Sequence, residues 1–459
     1  MVEGRAGRRQ RFAVVGAGIA GLAAAWELEQ AGADVVVFES ADRVGGKLQQ
    51  SPVPGLGFPL DDGADAFLAR VPDALELCAE LGIDDLVHPA SRQAYVYARG
   101  GLRSLPSAHL LGLPTDLDEA AATGLLSPDG IDRARADLRA EAPPPDHDLS
   151  IGELVRSRLG DEVCEHLVEP LIGGINAGVA DELSAAAVAP QIWACARVGG
   201  SLIRAAAEAR ADATTSDAPV FATPTGGMAT LPQRLVDRLR GEIRTGTPAP
   251  PLRTDGATGV LGDERFAGVV VATPADVTAR VLDAAAPDAA RRLRSIDFAS
   301  VAMVTLAVER SAVEHPLDGS GFVVARTAGV DITACSWGSS KWAHWDDGEH
   351  AVFRVSLGHA GDPVDWCARS DDELVSAALD GLEATMGIDV RPAGARVGRW
   401  RRSFPQYRPR HLELVDEAHE AAAAAGPVAL AGASLGGIGV PACIRQGRGA
   451  ARRLLRGEA

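Results

Sequence analysis

The chain has 459 residues, too many for one small core, so a large fold or several intertwined domains are expected. Apolar residues make up 46% and charged residues 23%, which excludes wholesale disorder. The 45 basic residues against 62 acidic ones leave a net charge of −17, which argues against non-specific binding to nucleic acid, and no apolar run is long enough to read as a membrane-spanning helix.

The opening MVEGRAGRRQR is basic but lacks the apolar run of a secretory signal, which predicts a cytoplasmic protein. Residues 12–15 read as a buried strand, followed by Gly16-Ala17-Gly18-Ile19-Ala20-Gly21 and a helix that Gly32 ends. Residues 35–38 form a second buried strand closed by Glu39, completing a βαβ unit. A helix is predicted over 73–86 and a strand over 95–97 with a turn at Gly100-Gly101. Residues 115–170 read as mostly helical, broken by Ala142-Pro143-Pro144-Pro145, and a helix is expected over 191–210. After a polar turn at 214–219 come a helix within 225–240 and short strands near 243–249 and 252–254. Residues 269–272, 299–309 and 351–357 read as strands, 371–386 and 412–425 as helices, 428–431 as a last core strand and 441–455 as a terminal helix. The six cysteines have no close spacing, so neither a zinc site nor a redox pair is expected; no metal is implied. Of the basic residues only Lys47 and Lys341 are lysines.

The glycine motif is weak alone but strong between a strand and a helix, with an acid ending the next strand. Gly16 permits the tight turn, Gly18 lets a pyrophosphate approach the backbone and Gly21 lets helix and strand pack closely. The helix start offers free N–H groups to phosphate, and Glu39 can bond ribose hydroxyls. Ser40 and Arg43, followed by Gly45-Gly46-Lys47, suit a second loop around the cofactor, which a nicotinamide dehydrogenase does not need.

This ERxGGK-like extension resembles the flavin-dependent amine oxidase superfamily, in which the segment binds FAD. Asp61-Asp62-Gly63-Ala64-Asp65, Val270 to Pro274 and Ala431 to Pro441 are similar to its further FAD motifs. The helix beginning near Pro441 would aim its positive end at the flavin. Within the superfamily, Arg103 to Ser107, Leu171 to Gly178, Pro224 to Met228, Ser339 to His344, Arg399-Trp400 with Pro405-Gln406-Tyr407 and Gly439 to Ile444 resemble the protoporphyrinogen and coproporphyrinogen oxidases, in order along nearly the whole chain.

The resemblance implies an α/β fold with a discontinuous Rossmann-type FAD-binding domain (1–90, 220–275, 395–459), a mixed-sheet substrate domain (91–102, 186–219, 276–394) and a helical domain (103–185) that could meet a membrane peripherally. It implies FAD contacts at Gly16, Ala17, Gly18, Ile19, Ala20, Gly21, Glu39, Ser40, Arg43, Gly46, Lys47, Gly63, Ala64, Asp65, Ala249, Trp400, Ile438, Gly439 and Val440. Leu171 and Gly174 would border the substrate, with Arg92 a carboxylate clamp and Lys341 a pocket residue. The implied activity is six-electron oxidation of a porphyrinogen by dioxygen with peroxide release, coproporphyrinogen III being favoured over protoporphyrinogen IX. The alternative is an amine oxidase or desaturase-like enzyme acting on another electron-rich substrate. No general base is forced by the residues.

Overall fold

The computed structural model describes residues 9–213 and 219–458; of the polar turn expected at 214–219, residues 214–218 lie outside them. A five-stranded sheet runs in the order Glu242–Arg244, Asp34–Phe38, Arg11–Val15, Gly268–Val271, Val428–Leu430, with every pairing parallel. Both faces are covered, which is why the strands read as unbroken apolar runs. Phe12, Val14, Val35, Val37, Val270 and Ala429 pack on one side against helices Ile19–Gln30 and Val440–Arg456. Ala13, Val15, Val36, Phe38, Val269, Val271, Val428 and Leu430 pack on the other, with helices Ala275–Leu282, Pro287–Arg294 and His411–Ala424. The sheet is thus assembled from distant stretches of chain, and its last strand and helix return from the C-terminus.

A seven-stranded sheet has the order Gly394–Pro405, Phe298–Glu309, His350–Leu357, Ile332–Trp337, Gly321–Val324, Tyr95–Ala98, Gly101–Ser104. Its pairings are antiparallel except where Gly321–Val324 lies parallel to Tyr95–Ala98. Ala302, Val304, Leu306 and Val308 share one face with Ala351, Phe353, Val355 and Leu357, in a core with helix Asp371–Met386. That helix is fixed at its start by a reciprocal cap between Ser370 and Glu373, and ends at Gly387 in the left-handed region. The period of two turns Val301, Met303, Thr305, Arg354 and Ser356 to the opposite face.

A third core is helical and holds Leu117, Ile131, Leu154, Leu167, Ile172, Ile192 and Ile203. Among the described residues no helix is long and apolar enough to cross a membrane.

The packing departs from the expected boundaries in three places. Helices Pro190–Val198 and Leu202–Ala213, expected with 186–219 in the substrate domain, pack into the helical core. The helices from Ala275 to Arg294, expected within 276–394, pack on the five-stranded sheet. Strand Gly394–Pro405, expected within 395–459, is an edge of the seven-stranded sheet. Elements also end earlier than expected: Gly82, at φ +67°, stops helix Pro72–Leu81, and the strand expected over 243–249 ends at Arg244, ahead of Pro248, Pro250 and Pro251.

Candidate cofactor and substrate site

The glycine turn joins strand Arg11–Val15 to helix Ile19–Gln30. Gly16 sits at φ +101°, where a side chain would meet the Ala272 carbonyl at 2.7 Å. A Cβ on Gly21 would lie 1.9 Å from the Gly16 carbonyl oxygen, so helix and strand touch through backbone. Gly18 is the reverse: a Cβ there would meet nothing within 4 Å. Its neighbours in the chain, Ala17, Ile19 and Ala20, are buried. Glu39 closes the turn by accepting hydrogen bonds from Ala17 N–H and Ala41 N–H, each 2.8 Å, and Ser40 Oγ lies 3.3 Å from its carboxylate. The backbone after Arg244 runs beside it, since Glu39 N–H donates to Arg244 and Thr247 N–H donates to Glu39. Ala249, two residues further on, packs at the edge of the neighbouring core.

The second loop folds onto the first. Gly45 N–H donates to the Ala17 carbonyl, and the exposed Arg43 ties its own loop by donating to the carbonyls of Val44 and Gly46. Lys47 reaches across to the Ser403 carbonyl and lies 6.0 Å from the centre of the Phe404 ring. Lys47 is exposed as a residue, yet burial of its charged end lowers its pKa.

The acidic turn divides its labour. Asp65 accepts from Lys341 Nζ at 2.9 Å and Trp342 Nε1 at 3.1 Å, with Arg354 Nη1 at 3.3 Å. Burial opposes its ionisation, but Lys341 and Arg354 prevail and hold its pKa well below the usual carboxylate range. Asp62 pairs with Arg396 at 2.8 Å. Asp61 accepts from Met228 N–H at 3.0 Å, while its Oδ2 is buried without a partner. Burial raises its pKa to about 7 despite Arg354. Between these carboxylates, Gly63 packs against Trp400 and gives its carbonyl to Arg354 Nη2 at 2.6 Å, whereas Ala64 is exposed.

Trp400 pairs with Val301 in the seven-stranded sheet, and its Nε1 is buried without a hydrogen-bond partner. The C-terminal turn leaves Ile438 half-buried and Gly439 exposed immediately before helix Val440–Arg456, which carries Pro441 in its first turn. Tyr407, stacked on His411 at 4.1 Å, anchors this turn by donating to the Ala433 carbonyl and accepting from Gly437 N–H at 3.2 Å.

A cavity of about 100 Å³ lies on the polar face of the seven-stranded sheet. Gly173 and Gly174, on helix Glu169–Asn176, form one wall; Val301, Met303, Ser356 and Phe404 form another. Leu171 is half-buried one turn before Gly174. The expected substrate residues are therefore split. Gly174 lines this cavity. Lys341 is spent on Asp65, and Arg92 lies exposed two residues beyond Ala90, whose N–H donates to the Lys341 carbonyl.

The family model for flavin containing amine oxidoreductase matches residues 19–455. The chain belongs to this family. As a flavin containing amine oxidoreductase it is an FAD-dependent oxidoreductase. It is 33% identical to the coproporphyrinogen III oxidase of Bacillus subtilis, over 96% of this chain and 97% of that protein. It is 27% identical to the chloroplastic protoporphyrinogen oxidase of Oryza sativa subsp. japonica, over 94% of this chain and 85% of that protein. A solved protein of Exiguobacterium sp. 255-15 superposes with a TM-score of 0.86 at 30% identity, covering 98% of this chain and 99% of that one.

The residues present fit FAD. The open position at Gly18 is a cradle that a Cβ would fill, and the Trp400 ring, whose Nε1 is buried without a partner, packs on the Gly63 turn. Arg354, Arg396, Arg326 and His359 escaped the sequence reading. Arg354 had a signal, being one cation in the otherwise apolar run Ala351-Val352-Phe353-Arg354-Val355.

Proposed function

We propose that this chain oxidises a porphyrinogen to the porphyrin in haem synthesis, preferring coproporphyrinogen III to protoporphyrinogen IX. The observation that carries this reading is the likeness, over 96% of the chain, to proteins named coproporphyrinogen III oxidase. Six electrons and six protons leave the macrocycle, one hydrogen from each of the four methylene bridges and two from pyrrole N–H bonds; three dioxygen molecules take them up as three hydrogen peroxide. When bound, FAD accepts electron pairs from the substrate and passes them to dioxygen.

The chain's own residues would bind, orient and exclude water. Gly16 to Gly21, Glu39, Ser40, Arg43, Gly46 and Lys47 would hold the nucleotide side of FAD, with Ala249 beside its adenine. Gly63, Ala64, Asp65, Trp400 and Ile438 to Val440 would surround its ring. Lys47 supports this division because it bridges the second loop and the Ser403-Phe404 edge of the cavity. The glycine-lined helix Glu169–Asn176 lets a flat macrocycle approach backbone. Proximity suffices for this chemistry, because porphyrinogen C–H bonds are weak and aromatisation drives the reaction. The amine-oxidase alternative lacks an aromatic cage: the C-terminal turn carries Gly436 and Gly437, and Phe404 is the cavity's aromatic side chain.

The test is porphyrin fluorescence after mixing purified holoenzyme with each porphyrinogen in air. The expected result is faster porphyrin formation with coproporphyrinogen III, with three peroxide per porphyrin. Formation no faster than autoxidation with either substrate would contradict the proposal.

A further inference from the structure

The cavity beside Gly174 takes part of a substrate, the rest of a macrocycle lying outside it against the exposed Gly174. Its volume is about 100 Å³. That is room for one short arm of a ligand. The arm's polar end would meet Arg326, which lines the cavity together with His359 and Glu169.

Arg326 lies just beyond strand Gly321–Val324, and His359 just beyond strand His350–Leu357. The hydrogen bonds around them leave the guanidinium short of acceptors. His359 Nδ1 stands 2.7 Å from the Ala360 carbonyl, which assigns the proton to that nitrogen. Arg326 Nη1, 3.2 Å from the same nitrogen, therefore faces an atom with no lone pair to offer. The Glu169 carboxylate is 3.8 Å from Arg326 Nε, too far for a hydrogen bond, and it already receives Ala180 N–H. Asp362 is 3.9 Å from His359 Nε2 and accepts from Trp366 and Val364 instead. Arg326 is 34% exposed and His359 21%, so both are reachable from the cavity without being free in solvent.

We propose that Arg326, beside His359, is a carboxylate subsite that seats one propionate arm of the substrate and so positions the macrocycle. This rests on the porphyrinogen reading above. Arg supplies two parallel N–H donors to a carboxylate, a geometry Lys cannot reproduce. Arg326 is a positioning residue and takes no part in electron transfer.

The test uses the holoenzyme with Arg326→Gln and Arg326→Lys, the flavin absorbance of each confirming an intact fold. The substrates are coproporphyrinogen III and its tetramethyl ester. Arg326→Gln is expected to raise KM for the free acid at least about tenfold, with kcat changed less than about threefold, and Arg326→Lys to fall between. The ester should show the same KM in wild type and variant. An unchanged KM for the acid, or an equal loss for the ester, would overturn the proposal. Equilibrium binding of coproporphyrin III, followed by its fluorescence, reads the subsite without turnover. Wild-type protein that binds coproporphyrin tightly, with Arg326→Gln at least about tenfold weaker, supports the subsite even if neither porphyrinogen is oxidised. Equal binding by both proteins overturns it.

Discussion

The two sheets solve different problems. The five-stranded sheet is parallel and buried on both faces, and its site sits at a strand end where Gly16 and Gly21 let backbone touch backbone. The seven-stranded sheet is largely antiparallel, with one face closed by helix Asp371–Met386 and the other carrying Thr305, Arg354 and Ser356 among apolar neighbours. The first region gains precision from the absence of side chains, the second from charged side chains held by one another. Loss of close approach should therefore be the failing of one, and uncompensated charge the failing of the other.

The sharpest way to break this contrast is a pair of alanines in one motif. Gly21→Ala drives a methyl into the Gly16 carbonyl and should cost at least about 3 kcal/mol in apoprotein stability, read by denaturant unfolding. Gly18→Ala enters open space and should leave apoprotein stability within about 1 kcal/mol, while weakening FAD binding at least about tenfold. Equal loss of stability in both would remove the distinction between packing glycine and cradle.

On the other sheet, Asp65→Ala should cost about 3–5 kcal/mol, because Lys341 and Arg354 would be left in the protein without their shared carboxylate. A drop below about 1 kcal/mol would show that water reaches the pair. Glu39→Ala is expected to be milder. It strips the acceptor from Ala17 N–H and should cost about 1–3 kcal/mol in the apoprotein, besides weakening FAD retention. Stability unchanged while FAD retention falls would assign Glu39 to the ligand alone.

The smallest effect concerns Asp61. Its folded pKa of about 7 exceeds the unfolded value of about 3.9. The unfolded chain therefore releases this proton first, and the stability Asp61 contributes is complete below about pH 4 and lost as pH rises through about 7. Asp61→Asn keeps an acceptor for Met228 N–H and should flatten that slope, gaining about 1 kcal/mol on wild type near pH 8. Parallel pH profiles would mean that Asp61 is ionised throughout. Asp65 has the opposite sign, since its depressed pKa makes its contribution complete above about pH 4 and lost progressively as the pH falls below that.

The first region was readable from sequence because its information is local. Strand, glycine turn, helix, strand and Glu39 fall within residues 11–39, and each carries its own composition signal. Helix Asp371–Met386 was legible to the residue because Ser370, Glu373 and Gly387 mark both ends. The second region is built from pairs distant in sequence. Lys341 stood out by rarity, but nothing local tells that Asp65, 276 residues earlier, accepts its proton-bearing nitrogen. Strands Gly321–Val324, Ile332–Trp337 and Gly394–Pro405 also escaped, since the first two are short and Gly and Arg interrupt the alternation of the third. Arg326 and His359 lie on strand ends and come together only through the sheet order.

The central claim is that a porphyrinogen delivers electrons to flavin held between the glycine cradle and the Trp400 strand. It is tested most directly by mixing holoenzyme with coproporphyrinogen III without air and following the flavin absorbance. The account predicts that the yellow colour bleaches as porphyrin forms, then returns when air is admitted. Flavin that stays oxidised in the presence of excess coproporphyrinogen III would contradict it.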